Sequence, residues 1–564
     1  MTFSRDYFDR LSDDKKAVLR KCGMPLDINE VFDMDDLRFY DLLYEDHDEL
    51  SDNEYDLWLE LSAKIKNIRD EVKNKKNRVW STVEQEAKRN RWSGHDYKSD
   101  NGSDKNKNQD DKSETKSAFI LRLAKARILE LFTDQFNEAY AAIRIDSHIE
   151  VLRVKDTRFD NWLSKIFYME KKSALGNETI NAVKSVISAE ADFDGLQRKL
   201  NLRVGSVITE KEGQTKNIVL YYDLANKDWS VVKITNDNWE IDLNPPIIFK
   251  RYNSNGAQIT PSKTYPPDIF DQFISMINIK DEKQKLLLKC YIVSLFVADI
   301  PKPAQMLHGA QGSAKTSEQE AIKDLVDPSP MLTLTFPKDI NELIQKLMHN
   351  YVCYFDNISV IPAWVSDELC RAVTGSGFSK RGLFTDDDDV IYSFRRCIGF
   401  NGVNLAATKA DLLDRGFITQ LERIPKEDRL KEAEVKAKFA AIKPQLLGYI
   451  FDILVKVLRV KSNGGISVNE YPRMADFAET GEIISRCMGY REDEFLKAYY
   501  DNINLITDEA IEANPVAAAI LELMTTTGEL DHNGNRRFMG KPTELFEQLN
   551  LIAEQLKIDT KIKT

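Results

Sequence analysis

The chain has 564 residues, more than one hydrophobic core serves, so roughly two to four domains are expected. Hydrophobic residues at 42% and charged residues at 30% suit a soluble globular protein; no apolar run reaches the length of a membrane span, and MTFSRDYFDRLSDDKK lacks a signal-peptide core, so the expected location is the cytoplasm. The net charge of −12 argues against a surface coated for nucleic acid but leaves room for a local basic channel, and six scattered cysteines with no C-x-x-C pair argue against a disulfide framework or a structural zinc.

Residues 1–97 read as a charged helical region. Trp58, Leu61, Ile65, Ile68 and Val72 fall at three- and four-residue steps, which fits either a short coiled-coil seam or a helix packed on its own domain. The clusters KNKKNR (73–78) and AKRNRW (87–92) fit nucleic-acid contact or a solvated helix face. KSDNGSDKNKNQDDKSETK (98–116) has no apolar residue and cannot bury a core, so a disordered linker is expected over 98–117.

A mixed α+β domain is expected over 118–258. SAFILRLAKARILELF reads as an amphipathic helix, YAAIRID and IEVLRV as a hairpin, and NIVLYYDL and WSVVKI as further strands, with PPIIFKR closing the region. DEKQKLLLKCYIVSLFVAD (281–299) reads as a strongly apolar helix ending before Pro301 and Pro303. A motor domain is expected over 259–460 and a helical C-terminal region over 461–564.

MLHGAQGSAKTSEQ (306–319) is close to the phosphate-binding pattern G-x-x-x-x-G-K-[ST], with Ala314 in place of the second glycine. PAQML fits a buried strand and KTSEQEAIKDLV the following helix. That context lets backbone N–H groups and a helix N-terminus face phosphates. Gly309, Ala310, Gln311, Gly312, Ser313, Ala314, Lys315, Thr316 and Ser317 form the expected nucleotide loop. Lys315 is assigned to the β- and γ-phosphates of ATP, and Thr316 to Mg2+. Only a position with positive φ or close backbone approach demands glycine, and position 314 lies where the loop enters the helix, so alanine fits there.

Downstream, YVCYFDN (351–357) reads as an apolar strand delivering Asp356 to Mg2+ through water. CIGFN (397–401) reads as a strand delivering Asn401 to an attacking water, and DLLDRGF (411–417) places Arg415 after a short helix. Loop, acid, amide and arginine in this order follow the logic of a ring-forming ATPase. Position 357, where such ATPases carry a basic carboxylate, is Asn357, whose amide cannot take a proton as a carboxylate does. The base is left open between Asp367, Glu368 and a merely positioned water. His308 is read as packing, and Arg473 as a γ-phosphate sensor or an ion-pair or capping residue.

LHGAQGSAKT, DNISVIPAWVSDELCRAVTGSGFSKRGLFTDDDDV, FNGV and DLLDRGFITQLERI resemble successive blocks of the phage- and plasmid-type primase-helicase motor of helicase superfamily 3, related to the poxvirus primase-helicase. YPRMADFAETGEI and NPVAAAILELM resemble its distal helices, and the likeness runs over about residues 130–550. The resemblance implies an α/β P-loop ATPase of AAA+ type. It also implies a homo-hexameric ring that hydrolyses ATP with Mg2+ and moves 3′ to 5′ along single-stranded DNA, with a separate primase or polymerase as a further partner. It departs at 1–97, where no paired-carboxylate primase pattern stands, and after GKPTELFEQLN (540–550), read as the opening of a winged helix with Thr543 as N-cap. The family's DNA-gripping hairpin maps to KRGLFT and VIYSFRR pairing across DDDD (386–389), with Lys380 and Arg381 at its base as the expected DNA contacts and Arg395 and Arg396 at its far end. Two other functions fit the same residues: an ATPase that remodels or loads proteins, and a slow nucleotide-dependent assembly switch.

Overall fold

The computed structural model describes residues 15–17, 19, 61, 114–145, 148–210, 216–358, 360–381, 389–393, 395–402, 409–512, 515–526, 529–530 and 536–555. The chain divides into two compact units, Met1–Asp111 and Lys112–Thr564. In the first, residues 15–17, 19 and 61 are helical, with Leu19 and Leu61 buried. The rest of the seam from Trp58 to Val72, both basic clusters and the polar linker as far as residue 113 lie outside the described residues.

The second unit opens with helix α1 (Lys116–Lys125), capped by Thr115, whose Oγ1 accepts the Ala118 N–H at 3.2 Å. The last residues of the stretch expected to be linker are held in place by a capping hydroxyl and the Glu114–Arg122 ion pair at 3.0 Å. The expected helix through ILELF stops early. Ile128–Thr133 is instead strand β1, which finds its backbone partners in β2 (Ala139–Ile145). The expected hairpin is present: β2 pairs with β3 (His148–Arg153) from Ile145↔His148 onward. Helices α2 (Thr157–Lys171) and α3 (Asn177–Phe193) follow. Then comes β4 (Leu196–Gln197), at the edge of a sheet ordered β3-β2-β1-β4. Ile120, Leu163, Ile166 and Ile187 fill the core of this layer.

Strand β5 (Leu200–Asn201) leads into an antiparallel sheet of β6 (Val204–Glu210), β7 (Lys216–Asp223), β8 (Val231–Ile234) and β9 (Trp239–Asp242), and β10 (Ile248–Phe249) returns to pair with β5. Helix α4 (Ile269–Ser275) precedes α5 (Glu282–Ser294), whose consecutive residues Leu286–Ser294 are all buried. It is therefore a core helix rather than an amphipathic surface one. It ends five residues before the expected Asp299, tightening through the Phe296 N–H to Val293 O and Val297 N–H to Ser294 O bonds.

The centre of the unit is a parallel sheet. Strand β11 (Ala304–Gly309) leads through a loop into α6 (Lys315–Val326), then α7 (Ile340–His349), β12 (Val352–Phe355) and α8 (Ala363–Thr374). The hairpin β13 (Gly377–Arg381) and β14 (Asp389–Ser393) comes next, then β15 (Cys397–Asn401), α9 (Ala410–Leu413) and β16 (Gly416–Leu421). The order is β12-β15-β11-β16, every pair parallel. Parallel strands buried on both faces read as continuous apolar runs, as VCYF and CIGFN do; every residue of both is buried.

Helix α12 (Glu494–Glu512) packs on β16 of this sheet, α11 (Ala475–Cys487) packs on α5, and the 31-residue α10 (Glu432–Ser462) packs on α4, α11 and the antiparallel strand β7. One hydrophobic core runs from Val204 to Ile506, so the upstream antiparallel sheet and the parallel sheet share it. A buried ion cluster joins them. Arg203 Nε meets Asp327 Oδ1 at 3.0 Å, and Asp327 Oδ2 takes Lys323 Nζ at 2.9 Å and the N–H groups of Tyr351 and Val352. The chain closes with α13 (Pro515–Thr526), the short pair β17 (Glu529–Leu530) and β18 (Arg536–Arg537), and α14 (Pro542–Gln555). Thr543 is inside α14 rather than its cap. Pro542 opens the helix, as its fixed φ favours, and Glu544 accepts the Lys541 N–H at 2.9 Å.

Candidate nucleotide site

In an open parallel sheet, ligands meet the protein at the carboxyl ends of the strands. There β11 ends in Gly309, β12 is followed by Asp356, and β15 ends in Asn401. Because β15 lies between β11 and β12, the Asn401 amide sits between the loop and the acid.

Residues 309–317 form the loop and first helical turn, with Ala310, Gln311, Gly312 and Ser317 exposed and Ser313 buried. Gly309 is obligatory: a Cβ there would lie 2.4 Å from the Leu421 carbonyl oxygen and 2.9 Å from Ser313 Oγ. Gly312 takes φ +82°, and Ala314 takes φ +63° as the residue capping α6. The entry to the helix thus does require left-handed backbone, contrary to the sequence expectation. Alanine bears it at a cost of roughly 1–2 kcal/mol, because its Cβ crowds the carbonyl in that conformation. Lys315 Nζ donates to the carbonyls of Gly309 at 2.7 Å and Ala310 at 3.1 Å, so its ammonium is held at the mouth of the loop.

Thr316 Oγ1 stands 3.4 and 3.3 Å from the two carboxylate oxygens of Asp356. Asn401 Nδ2 donates to Thr316 Oγ1 at 3.2 Å and to Gln319 Oε1 at 3.3 Å, while its Oδ1 accepts the Asn357 N–H at 2.9 Å. Four of the sequence-assigned residues, Lys315, Thr316, Asp356 and Asn401, therefore belong to one cluster. Asn357 adopts φ +57°, a conformation asparagine tolerates better than most residues. Of the candidate bases, Asp367 is ion-paired with Lys409 at 2.7 Å and Glu368 with Arg371 at 3.4 Å, and neither is singled out as a base.

Beneath the loop lies a polar group that sequence reasoning missed. Glu318 is fully buried; one oxygen accepts from Gln305 Nε2 at 2.8 Å, and the other has no partner. Gln305 Nε2 also donates to Thr419 at 3.2 Å. Burial pushes the Glu318 carboxyl up to about 8, partly offset by the Gln305 bond. A glutamate on a helix with a polar first turn gives no sequence signal for such burial.

Arg415 is not at this cluster. Its carbonyl accepts the Ala304 N–H at 2.7 Å, at the amino end of β11. Its guanidinium pairs with Asp411, which also binds Arg473; Arg473 reaches Asp414 at 2.8 Å, so the ion-pair reading of Arg473 holds. The hydrogen bond from Arg415 holds the Asp411 carboxyl down at about 2. His308 is exposed rather than packed.

The expected hairpin exists, with Lys380↔Val390 and Arg381↔Asp389 in register. Lys380 and Arg381 are thus next to its connecting segment, not at its base, because the strand starts at Gly377. The DDDD segment as far as Asp388 lies outside the described residues. Arg395 is bound to the Thr374 carbonyl at 3.0 Å and to the Asp299 carbonyl, and Arg396 to the Leu347 carbonyl; these bonds tie the end of the hairpin to the body.

No helix among the described residues is long and apolar enough to cross a membrane. No curated protein matches the chain. Among solved structures, apo forms of the NrS-1 C-terminal region align with 11–12% identity over 77–78% of this chain and 86–87% of theirs, at a TM-score of 0.35. Residues 270–508, which hold the parallel sheet and the whole cluster, are similar to the family described as the actinomycete integrative conjugative element replication protein.

Proposed function

We propose that the chain is an ATP-driven DNA motor of mobile-element replication: a ring-forming helicase or translocase of the superfamily 3 kind, built on a P-loop ATPase fold. The observation that carries this reading is the convergence of Lys315, Thr316, Asp356 and Asn401 at the carboxyl ends of three parallel strands. The similarity of residues 270–508 to a replication-protein family supports the cellular role.

The residues fit Mg2+ and ATP by their donor sets. The exposed loop has two glycines that permit a tight turn, a lysine ammonium is held at its mouth, and a hydroxyl and a carboxylate stand side by side as hard oxygen ligands. Bound Mg2+–ATP supplies the phosphoryl group that passes to water. With it bound, Lys315 would exchange the loop carbonyls for phosphate oxygens and neutralise their charge, and Thr316 and Asp356 would hold the cation. Asn401 fixes Thr316 on one side and the Asn357 backbone on the other, so it keeps these groups in register. Single-stranded DNA, a homo-hexamer and a separate primase or polymerase are the partners of this reading.

The test is ATP turnover by the full chain with and without single-stranded DNA, beside Lys315→Ala and Asp356→Asn. Turnover stimulated by DNA and lost in both variants is expected. Turnover that survives Lys315→Ala would sink the site.

One observation favours a second reading, a slow nucleotide-dependent assembly switch. Position 357 carries an amide in left-handed backbone whose N–H is committed to Asn401, and Ala314 strains the loop. Nucleotide binding with negligible turnover, unmoved by DNA, would decide for the switch.

A further inference from the structure

The segment after β16 runs back across the phosphate loop. Glu422 is fastened to Asn278 twice, its N–H donating to the Asn278 carbonyl at 3.0 Å and its carbonyl accepting from Asn278 Nδ2. Two residues on, the Ile424 N–H points to the Gly312 carbonyl at 3.4 Å. Arg429 then curls back, with Nε donating to the Ile424 carbonyl at 3.4 Å. This brings its terminal nitrogen to 3.5 Å from where a Cβ on Gly312 would stand. An exposed guanidinium thus lies in van der Waals reach of the loop, in the same subunit, on a strap tied to that loop.

We propose that Arg429 is a second phosphate-binding cation of the nucleotide site, acting in cis beside Lys315. This rests on the nucleotide-site reading. A guanidinium offers five donors in a planar fork suited to phosphate oxygens, and here only Nε has a protein partner among the described hydrogen bonds, a long one that is readily exchanged. Lys315 has its carbon stem in α6 and approaches from the helix side, whereas Arg429 comes from the strap over Gly312, so the two cations flank the loop rather than duplicate each other. Gly312 is set by its φ of +82°, and the strap leaves room over it. A Cβ there would stand in ordinary van der Waals contact with the arginine.

The experiment is equilibrium binding of fluorescent ATP, ADP and AMP analogues to the full chain, to Arg429→Gln, Arg429→Lys and Lys315→Ala, with thermal unfolding of each protein without nucleotide. Loss of a charge-assisted hydrogen bond predicts ATP binding weakened by about tenfold or more in Arg429→Gln. AMP binding should change less, Arg429→Lys should recover part of the loss, and the unfolding midpoint should stay put, because the side chain is exposed. If Lys315→Ala loses ATP but Arg429→Gln binds it like the wild type, the proposal is overturned while the nucleotide site stands. It is overturned equally if Arg429→Gln weakens all three nucleotides to the same degree with a lowered midpoint and no rescue by lysine, since that is a strap held for structure. If the wild type binds no nucleotide, the nucleotide-site reading falls and this proposal with it.

Discussion

At Ala314 one methyl group sits on a left-handed backbone position where the candidate phosphate loop enters α6. The residue stands at φ +63° with no side-chain capping bond to compensate. Glycine populates that region freely but loses more freedom on folding, by roughly 0.5–1 kcal/mol, so the two effects partly cancel. Ala314→Gly is expected to stabilise the nucleotide-free protein by about 0.5–1 kcal/mol, seen as a small rise in the unfolding midpoint, and a fall would show that the loop holds alanine without strain. Glu318, four residues on, carries a pH signature. Its carboxyl is pushed from the ordinary 4.5 to about 8 in the folded chain by burial. A raised folded-state value means that stability is complete below the unfolded value and is lost as pH rises through the folded one, so the window is from about 4.5 to about 8. Glu318→Gln keeps the shape and the Gln305 contact but cannot ionise. The midpoint of the variant should therefore gain on the wild type steadily from pH 5 to pH 8; parallel curves would mean that the glutamate is solvated.

Among elements, legibility follows how local the cause is. KTSEQEAIKDLV, VCYF and CIGFN can be placed from sequence because burial on both faces of a parallel strand, or a helix entered through a phosphate loop, writes a contiguous pattern. ILELF reads as helix from sequence because residues that continue a helical period also alternate, and pairing with β2, from Ala139 to Ile143, and with β4 decides between them. The positive φ at Ala314 and Asn357, the buried Glu318 and the strap over Gly312 are invisible in the sequence because each depends on chain distant along it. The candidate nucleotide cluster is legible as a set of residue types; its sheet order, with β15 between loop and acid, is not. The β13–β14 hairpin is legible as a pair, but its register moves Lys380 and Arg381 beside the connecting segment. If that element grips DNA, Lys380→Ala with Arg381→Ala removes two phosphate contacts. Single-stranded DNA should then bind more weakly, and the dependence of log affinity on log salt should flatten by about 1.4. An unchanged slope would place the DNA contact elsewhere.

For the whole molecule, the position of Arg415 bears on whether the proposed ring would share its sites between subunits. β16 runs parallel to β11 with Gly416↔Ala304 and Leu421↔Gly309 in register, so Arg415 precedes the first pair while the loop follows the last. At ~3.3 Å per residue the two are separated by about 17 Å or more along the sheet, farther than an arginine side chain spans. Arg415 therefore cannot serve the loop of its own chain; it acts on a neighbour or not on nucleotide at all. Its pairing with Asp411, shared with Arg473, holds an ion-paired edge together at the end of the sheet opposite the loop. A ring in which each such edge meets the next subunit's loop makes turnover a property of the interface, and an arginine supplied there is worth roughly 10³–10⁵ in rate in other phosphoryl-transfer systems. Arg415→Ala and Lys315→Ala should each be nearly inactive. Mixed under conditions where subunits exchange, they form some interfaces with an intact loop facing an intact arginine, and ATP turnover should partly return. Full turnover by Arg415→Ala alone removes the residue from catalysis. Inactivity that mixing does not restore, with exchange verified by labelled subunits, makes Arg415 a structural partner of Asp411, and the edge it shares with Arg473 then serves the fold rather than the neighbour.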